Sequence, residues 1–380
     1  MPDPLRSLRP EAAARFVDQP GLATPCLVID EVTVDANIQA VLRLVGGPER
    51  WRAHVKTAKS GWAMGRLLEA GVTRFKASTY EEVRCLLELG APDVLYALPA
   101  VGPGLNQLAD LAERFPDQRV AVLLDSPAAL ETWGSRAMRF FLDVDSGMHR
   151  TGHNANDPRG AAALLDRAAS AGHTFVGVHH YDGHLAGLPS EQRDARTRAG
   201  LDKVDRLIAA LVAGGIPVPE LVTGGSHTFL PALEHCFGPA VRRRVRVSPG
   251  TVTFCDVRSL ERLGDVGLRP AVGVLARVLS AVGPARVTVD AGLTAIQVDA
   301  GSPHAAVSGL DGVEVGSPTQ AHLALHFACP DAVPVPGELL CLIPRHVDTT
   351  VAQFGSFLVL RSDNTLEEHQ MTARHHEVRR

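Results

Sequence analysis

Residues 51–98 read WRAHVKTAKSGWAMGRLLEAGVTRFKASTYEEVRCLLELGAPDVLYAL, and this stretch decides the fold. WRAHVK, TRFKAS and DVLYAL are short runs suited to buried strands, while SGWAMGRLLEAG and TYEEVRCLLELG between them carry apolar residues at helical spacing. The alternation continues outward in both directions. CLVID (26–30) precedes EVTVDANIQAVLRLV, RVAVLLD (119–125) precedes SPAALETWG, and MRFFLDVD (138–145) leads through a loop to DPRGAAALLDRAASAG. TFVGVHHYDG (174–183) precedes a long helical segment, and PELVTGG (219–225) precedes SHTFLPALEHC. Eight or nine such units in about 230 residues predict an α/β protein built on a closed (β/α)8 TIM-like barrel.

Beyond about residue 263 the texture changes. VGVLARVLSAVG, ARVTVDAG, ELLCLIPRH and SFLVLRS are strand-like runs divided by Gly and Pro turns, with hardly a helix-length segment among them. The expected division is a barrel over 24–262 and a mostly β domain over 263–380, joined by the N-terminal segment 1–23.

Composition narrows the function. The 38 basic residues are outnumbered by 42 acidic ones, so no basic excess exists to neutralise a nucleic acid. No run approaches the roughly 18 apolar residues of a spanning helix, and the N-terminus lacks the apolar core of a secretory signal. A cytoplasmic chain with no membrane or nucleic-acid partner is expected. The six cysteines form no CxxC pair and read as reduced thiols. Only four lysines occur, Lys56, Lys59, Lys76 and Lys203, so each merits a reason.

Barrel enzymes place their chemistry at the carboxyl ends of the strands. In WRAHVK, strand alternation puts Arg52, His54 and Lys56 on one face. Such a face is either an internal salt-bridge layer or a cationic cavity that lowers the pKa of Lys56 and makes it a nucleophilic amine. The second is expected, because lysine is rarely buried without a task. Further on, Met148, His149 and Arg150 follow one strand in a Gly-containing loop, and His179 and Tyr181 share a face of another. TGGSHTF (223–229) and SPGT (248–251) are glycine turns whose backbone N–H groups suit a phosphate.

TPCLVID, RAHVKTAKS, FLDVDSGMHRTGH, YDGHL, TGGSHTF and SPGTVTF, in that order, resemble the pyridoxal-phosphate enzymes of fold type III. Within them the likeness is to the D-threonine aldolase and D-serine dehydratase branch, most of all to D-threonine aldolase, and it runs from about residue 24 to residue 360. The resemblance implies an alanine racemase-like barrel with a C-terminal β domain, and a homodimer. It implies Lys56 as the Schiff-base lysine, with His54, Arg150 and Tyr181 around the cofactor ring. Thr223, Gly224, Gly225, Ser226, Gly250 and Thr251 would hold its phosphate. Ala53 and Ala58 stand where the family usually has Pro and His, and His227 where a small residue is common.

The segment IPRHVDTTV (343–351) bears on the branch. His346 and Asp348, two apart on a predicted strand, would project from one face. By spacing alone they are an ordinary His–Asp pair, but the resemblance makes them a metal site. The dehydratases usually carry Cys at the second position; Asp348 matches the aldolases. A carboxylate favours Mn²⁺ or Mg²⁺ over Zn²⁺. All three tyrosines (Tyr80, Tyr96, Tyr181) precede the β domain, so the tyrosine base that alanine racemases take from that domain is missing. The implied reaction is cleavage of a D-β-hydroxy-α-amino acid, such as D-threonine, into glycine and an aldehyde. His179, His184, His227 and His322 are candidates for an assisting imidazole. The competing readings are a D-serine or D-threo-3-hydroxyaspartate dehydratase, a non-catalytic cofactor-carrying barrel, and a barrel without cofactor.

Overall fold

The computed structural model describes residues 21–134 and 136–374. Its eighteen strands are β1 (Cys26–Asp30), β2 (Arg52–His54), β3 (Arg74–Ala77), β4 (Asp93–Pro99), β5 (Arg119–Leu124), β6 (Arg139–Asp145), β7 (His153–Asn154), β8 (Thr174–His180), β9 (Leu221–Thr223), β10 (Val245–Val247), β11 (Val272–Ala281), β12 (Arg286–Val289), β13 (Ala305–Val307), β14 (Val313–Val315), β15 (Leu323–Phe327), β16 (Leu339–Pro344), β17 (Ser356–Leu360) and β18 (Leu366–Gln370). They fall into two compact units, one holding residues 42–56 and 64–250, the other 21–41, 57–63 and 251–374.

In the first unit eight parallel strands run in the order β10-β9-β8-β6-β5-β4-β3-β2, with the short β7 attached to β6. A parallel bridge between Trp51 and Val247 joins the two ends of the ring. Helices follow the strands because the sequence starts them with side-chain caps. Thr79 accepts from Glu82 N–H and Ser126 from Ala129 N–H, each just before a helix. Inside the ring Leu95, Ala121, Leu123, Phe141 and Val222, from the three neighbouring strands β4, β5 and β6 and from β9, form a packed apolar layer.

Below that layer the WRAHVK face divides. Arg52 is 1% exposed, with Nη1 2.7 Å from Asp93 and Nη2 2.9 Å from Glu220. For Arg52 the salt-bridge layer that was set aside is what forms. Truncating one carboxylate leaves a buried guanidinium half-compensated, so Glu220→Ala should lower stability by about 3 kcal/mol. A denaturant midpoint that does not move would contradict this.

The second unit is a sheet in the order β14-β15-β12-β11-β1-β17-β18, with β16 on β11 and β13 on β16. It corrects the placement of CLVID as the opening barrel strand. β1 pairs antiparallel with β11 and parallel with β17, and Val28 packs with Leu275, Cys341, Ile343 and Leu360. An apolar five-residue run is equally at home in either sheet, and the helix Glu31–Val45 behind it made it read as a βα unit. Of the segment 1–23 assigned to this domain, residues 1–20 lie outside the described residues, as do 375–380. All six cysteines are free thiols, and burial pushes those of Cys255 and Cys341 up. No helix among the described residues is long and apolar enough to cross a membrane.

Candidate active site

The parallel register of β6 and β8 sets Asp143 beside His179. The His179 Nδ1–H donates to Asp143 Oδ1 at 2.7 Å, and Thr151 Oγ1 donates to Oδ2 at 2.8 Å. Burial alone would raise the Asp143 pKa, but these bonds and Lys76 hold the carboxyl below its usual range. Burial, with Lys76 adding to it, lowers His179 to about 4. His179 is therefore neutral at pH 7, and its tautomer is set by Asp143. That leaves Nε2 as a lone pair, buried and with no hydrogen-bond partner among the described residues.

Tyr181 stands beside this pair. A Cβ on Gly183 would come within 2.5 Å of its ring and one on Gly225 within 2.8 Å, so both edges of the ring admit only glycine. Two cations face the same ring: Arg150 Cζ and Lys76 Nζ each lie 5.2 Å from its centroid. Arg150 is carried there by the loop after β6. Asp145 Oδ1 accepts from the N–H groups of Gly147, Met148 and His149, which curls the SGMHR segment about one carboxylate.

Lys76 was not singled out for a role by sequence reasoning. It is 4% exposed within β3, and burial together with Lys56 and Arg150 lowers it to about 7 against the pull of Asp143 and Asp182. Below pH 7 its burial cost is paired with a charge. Between pH 7 and its ordinary 10.5 the folded chain has lost a proton that the unfolded chain keeps, so stability rises with pH. In cofactor-free protein, the wild-type melting temperature should climb through that window relative to Lys76→Met. Parallel curves would refute the assignment.

Lys56 follows the end of β2 and is half-buried. Its amide N–H contacts His54 Nδ1 at 3.4 Å, and Lys56 is one of the charges that depress Lys76. In the two glycine turns, Gly225 N–H donates to Thr228 Oγ1 at 3.1 Å and Gly250 N–H to Ser226 Oγ at 3.1 Å, which ties the turns together. Thr223 Oγ1 is held by His180 Nδ1 at 2.9 Å, and Gly224 takes the left-handed φ of 65°. Lys56, Arg150, His179, Tyr181, Gly225 and Gly250 thus share the first unit. His184 is exposed in the turn Gly183–Gly187, and His322 is exposed in the second unit. Thr251 also belongs to the second unit, where its hydroxyl donates to Asp348 Oδ1 at 3.0 Å.

His346 and Asp348 do not lie on a strand. β16 ends at Pro344, His346 is the residue before the helix Val347–Val351, and Asp348 is in that helix's first turn. The turn brings the side chains together all the same, with His346 Nε2 3.9 Å from Asp348 Oδ2. Asp299 Oδ2 accepts from His346 Nδ1–H at 2.6 Å and is steadied by Thr349 Oγ1 at 2.9 Å, so Nε2 is the atom left to ligate. Thr57 Oγ1 donates to Asp348 Oδ1 at 2.6 Å. An imidazole nitrogen and a carboxylate oxygen facing one gap suit a divalent cation. No group of three or more such ligands converges among the described residues, so water or substrate would complete the shell. Asp299→Asn should weaken cation binding about 10- to 100-fold, read by competition with a metal indicator. Asp299 and Thr57 had no sequence signal, because they lie 47 and 291 residues from His346 and Asp348 and become their neighbours only in the fold.

Residues 29–254 match the alanine racemase N-terminal domain family, and residues 271–360 a putative serine dehydratase domain. The chain belongs to the alanine racemase N-terminal domain family. It is similar to the D-threo-3-hydroxyaspartate dehydratase of Delftia sp. (26% identity, 91% of this chain and 96% of that one). It is equally similar to the 3-hydroxy-D-aspartate aldolase of Paracoccus denitrificans (27% identity, 88% and 87%). A crystal structure of D-threonine aldolase from Filomicrobium marinum superposes with a TM-score of 0.82 at 25% identity, covering 93% of this chain and 95% of that one. Enzymes named for elimination and for aldol cleavage are therefore both similar to this chain over most of its length.

Proposed function

We propose that this family member cleaves the Cα–Cβ bond of D-β-hydroxy-α-amino acids, D-threonine and its relatives, to glycine and an aldehyde, using pyridoxal phosphate and a divalent cation. The observation that carries the choice of reaction is the carboxylate at position 348. In solved structures of D-threo-3-hydroxyaspartate dehydratase, variants alter a histidine and a cysteine two residues apart, the cysteine variant being in a metal-free form. The same spacing holds here, with aspartate in place of cysteine.

The chain's groups fit both cofactors. Lys56 would hold the aldehyde, the glycine turns the phosphate, and Tyr181 the ring; His346 and Asp348 would hold Mn²⁺ or Mg²⁺. When bound, pyridoxal phosphate supplies an electron sink and the cation polarises an oxygen. Aldol cleavage needs the substrate hydroxyl deprotonated and retained, whereas elimination needs it expelled. Neutral His179 can take a proton only at Nε2, because Asp143 fixes the proton at Nδ1. Lys76, poised at about 7, can exchange a proton at Nζ near neutral pH. Arg150 and Lys76 place positive charge over the Tyr181 ring, where an anionic ligand gains most.

A second reading, a D-serine or D-threo-3-hydroxyaspartate dehydratase, is favoured by the match of residues 271–360. A product assay separates the two. Purified protein with pyridoxal phosphate is given D-threonine or D-serine, with Mn²⁺ or with EDTA. Mn²⁺-dependent acetaldehyde and glycine from D-threonine support the proposal. Pyruvate and ammonia from D-serine, without acetaldehyde from D-threonine, would replace it with the second reading.

A further inference from the structure

Arginine opens strand after strand of the barrel. Arg52, Arg74, Arg119 and Arg139 are the first residues of β2, β3, β5 and β6, and Arg246 is the second of β10. Their common position at the strands' amino ends gathers all five around one cavity of about 380 Å³, at the end of the barrel opposite Lys56. The carboxylates on the same wall are Asp93 and Glu220.

The ion pairs do not account for the set. Asp93 and Glu220 both pair with Arg52, Asp93 also meets Arg119 Nε at 3.2 Å, and Glu220 also meets Arg246 Nη1 at 3.0 Å. Among the described residues Arg74 and Arg139 have no ion-pair partner, and Arg246 Nε is buried without a hydrogen bond. Burial pushes the Arg246 guanidinium down, and Arg74 and Arg52 push it further against the opposing pull of Glu220. Five guanidinium groups against two carboxylates leave an excess of three positive charges in a concave wall. A purely structural layer would be expected to approach neutrality, as Arg52 does with its two partners. A cleft lined by one sign of charge concentrates counter-ions of the other, and guanidinium forks match phosphate oxygens in pairs.

We propose that the amino-end mouth of the barrel is a binding site for a small polyanion of the di- or triphosphate type, held by Arg74, Arg139 and Arg246. Arg52 stays with its carboxylates and forms the floor. The site is separate from the carboxyl-end residues, and its occupancy is read without turnover.

The test uses protein saturated with pyridoxal phosphate, so that the glycine turns at the other end are not the ones filled. Inorganic pyrophosphate and tripolyphosphate are titrated by calorimetry and by thermal unfolding, against sodium chloride of equal ionic strength. Saturable binding should raise the unfolding midpoint by about 5 °C. Arg74→Gln/Arg139→Gln should weaken binding by at least about tenfold for each arginine removed. Arg242→Gln/Arg243→Gln, on an exposed turn elsewhere, should bind as wild type does. Arg139 is exposed, so Arg139→Gln alone decides the matter if the double variant folds poorly. Equal binding by wild type and the Arg74/Arg139 variants, or a midpoint that follows ionic strength alone, would overturn the proposal.

Discussion

Lys56→Ala protein should fold normally, retain no covalently held pyridoxal phosphate, and turn over D-threonine at least about 10³-fold more slowly than wild type. The chain offers four lysines, and the structure separates them. Lys203 Nζ is engaged with Ser146 O at 2.9 Å. Lys59 lies in the second unit, where its carbonyl accepts from Ala373 N–H. Lys76 is inside β3, buried over the Tyr181 ring. Lys56 stands two residues past the end of β2, half-buried and within the first unit, where a ligand at the barrel's carboxyl mouth would meet it. Borohydride reduction of the loaded protein followed by peptide mass mapping should place the cofactor on Lys56. A label on Lys76 would reverse the assignment. Lys76→Met should keep the label on Lys56.

The barrel was legible because its units repeat: a short apolar run, a helical run and a turn, many times over. Each repetition reinforces the next, so the assignment survived the loss of CLVID to the other sheet. Candidate residues at strand ends stood out for a related reason. Lys56, Arg150, His179 and Tyr181 lie at or just past the ends of their strands; the resemblance implied roles for Lys56, Arg150 and Tyr181, and His179 was one of four candidate imidazoles. The partners that tune them were not legible. Asp143 looked like one more strand residue, yet the register of β6 against β8 makes it the group that sets the His179 tautomer. Asp299 is forty-seven residues from His346, and only the fold brings its carboxylate to Nδ1. Arg52 shows the opposite limit. Strand alternation grouped it with His54 and Lys56, but position along the strand, not the face, separates the paired Arg52 at one end from the half-buried Lys56 past the other.

Asp348→Asn should leave the fold intact and weaken cation binding by more than about 100-fold, abolishing the Mn²⁺ response. The amide keeps an oxygen for the hydroxyls of Thr57 and Thr251, which donate at 2.6 and 3.0 Å, so the helix Val347–Val351 keeps its anchors. What disappears is the negative charge facing His346 Nε2 across 3.9 Å. Metal content after dialysis separates this loss from a structural one, and an unaltered Mn²⁺ response in the variant would remove the pair from consideration as ligands. Asp348→Cys is the sharper experiment. A thiolate is a softer donor, so this variant should show a larger preference for Zn²⁺ over Mn²⁺ than wild type does. If residue 348 also governs the reaction, the cysteine variant should lose acetaldehyde formation from D-threonine and gain pyruvate formation from D-serine. If the metal preference changes and the products do not, position 348 sets only which ion is held. The choice between keeping and expelling the hydroxyl would then lie with the barrel's proton-handling groups, His179 and Lys76.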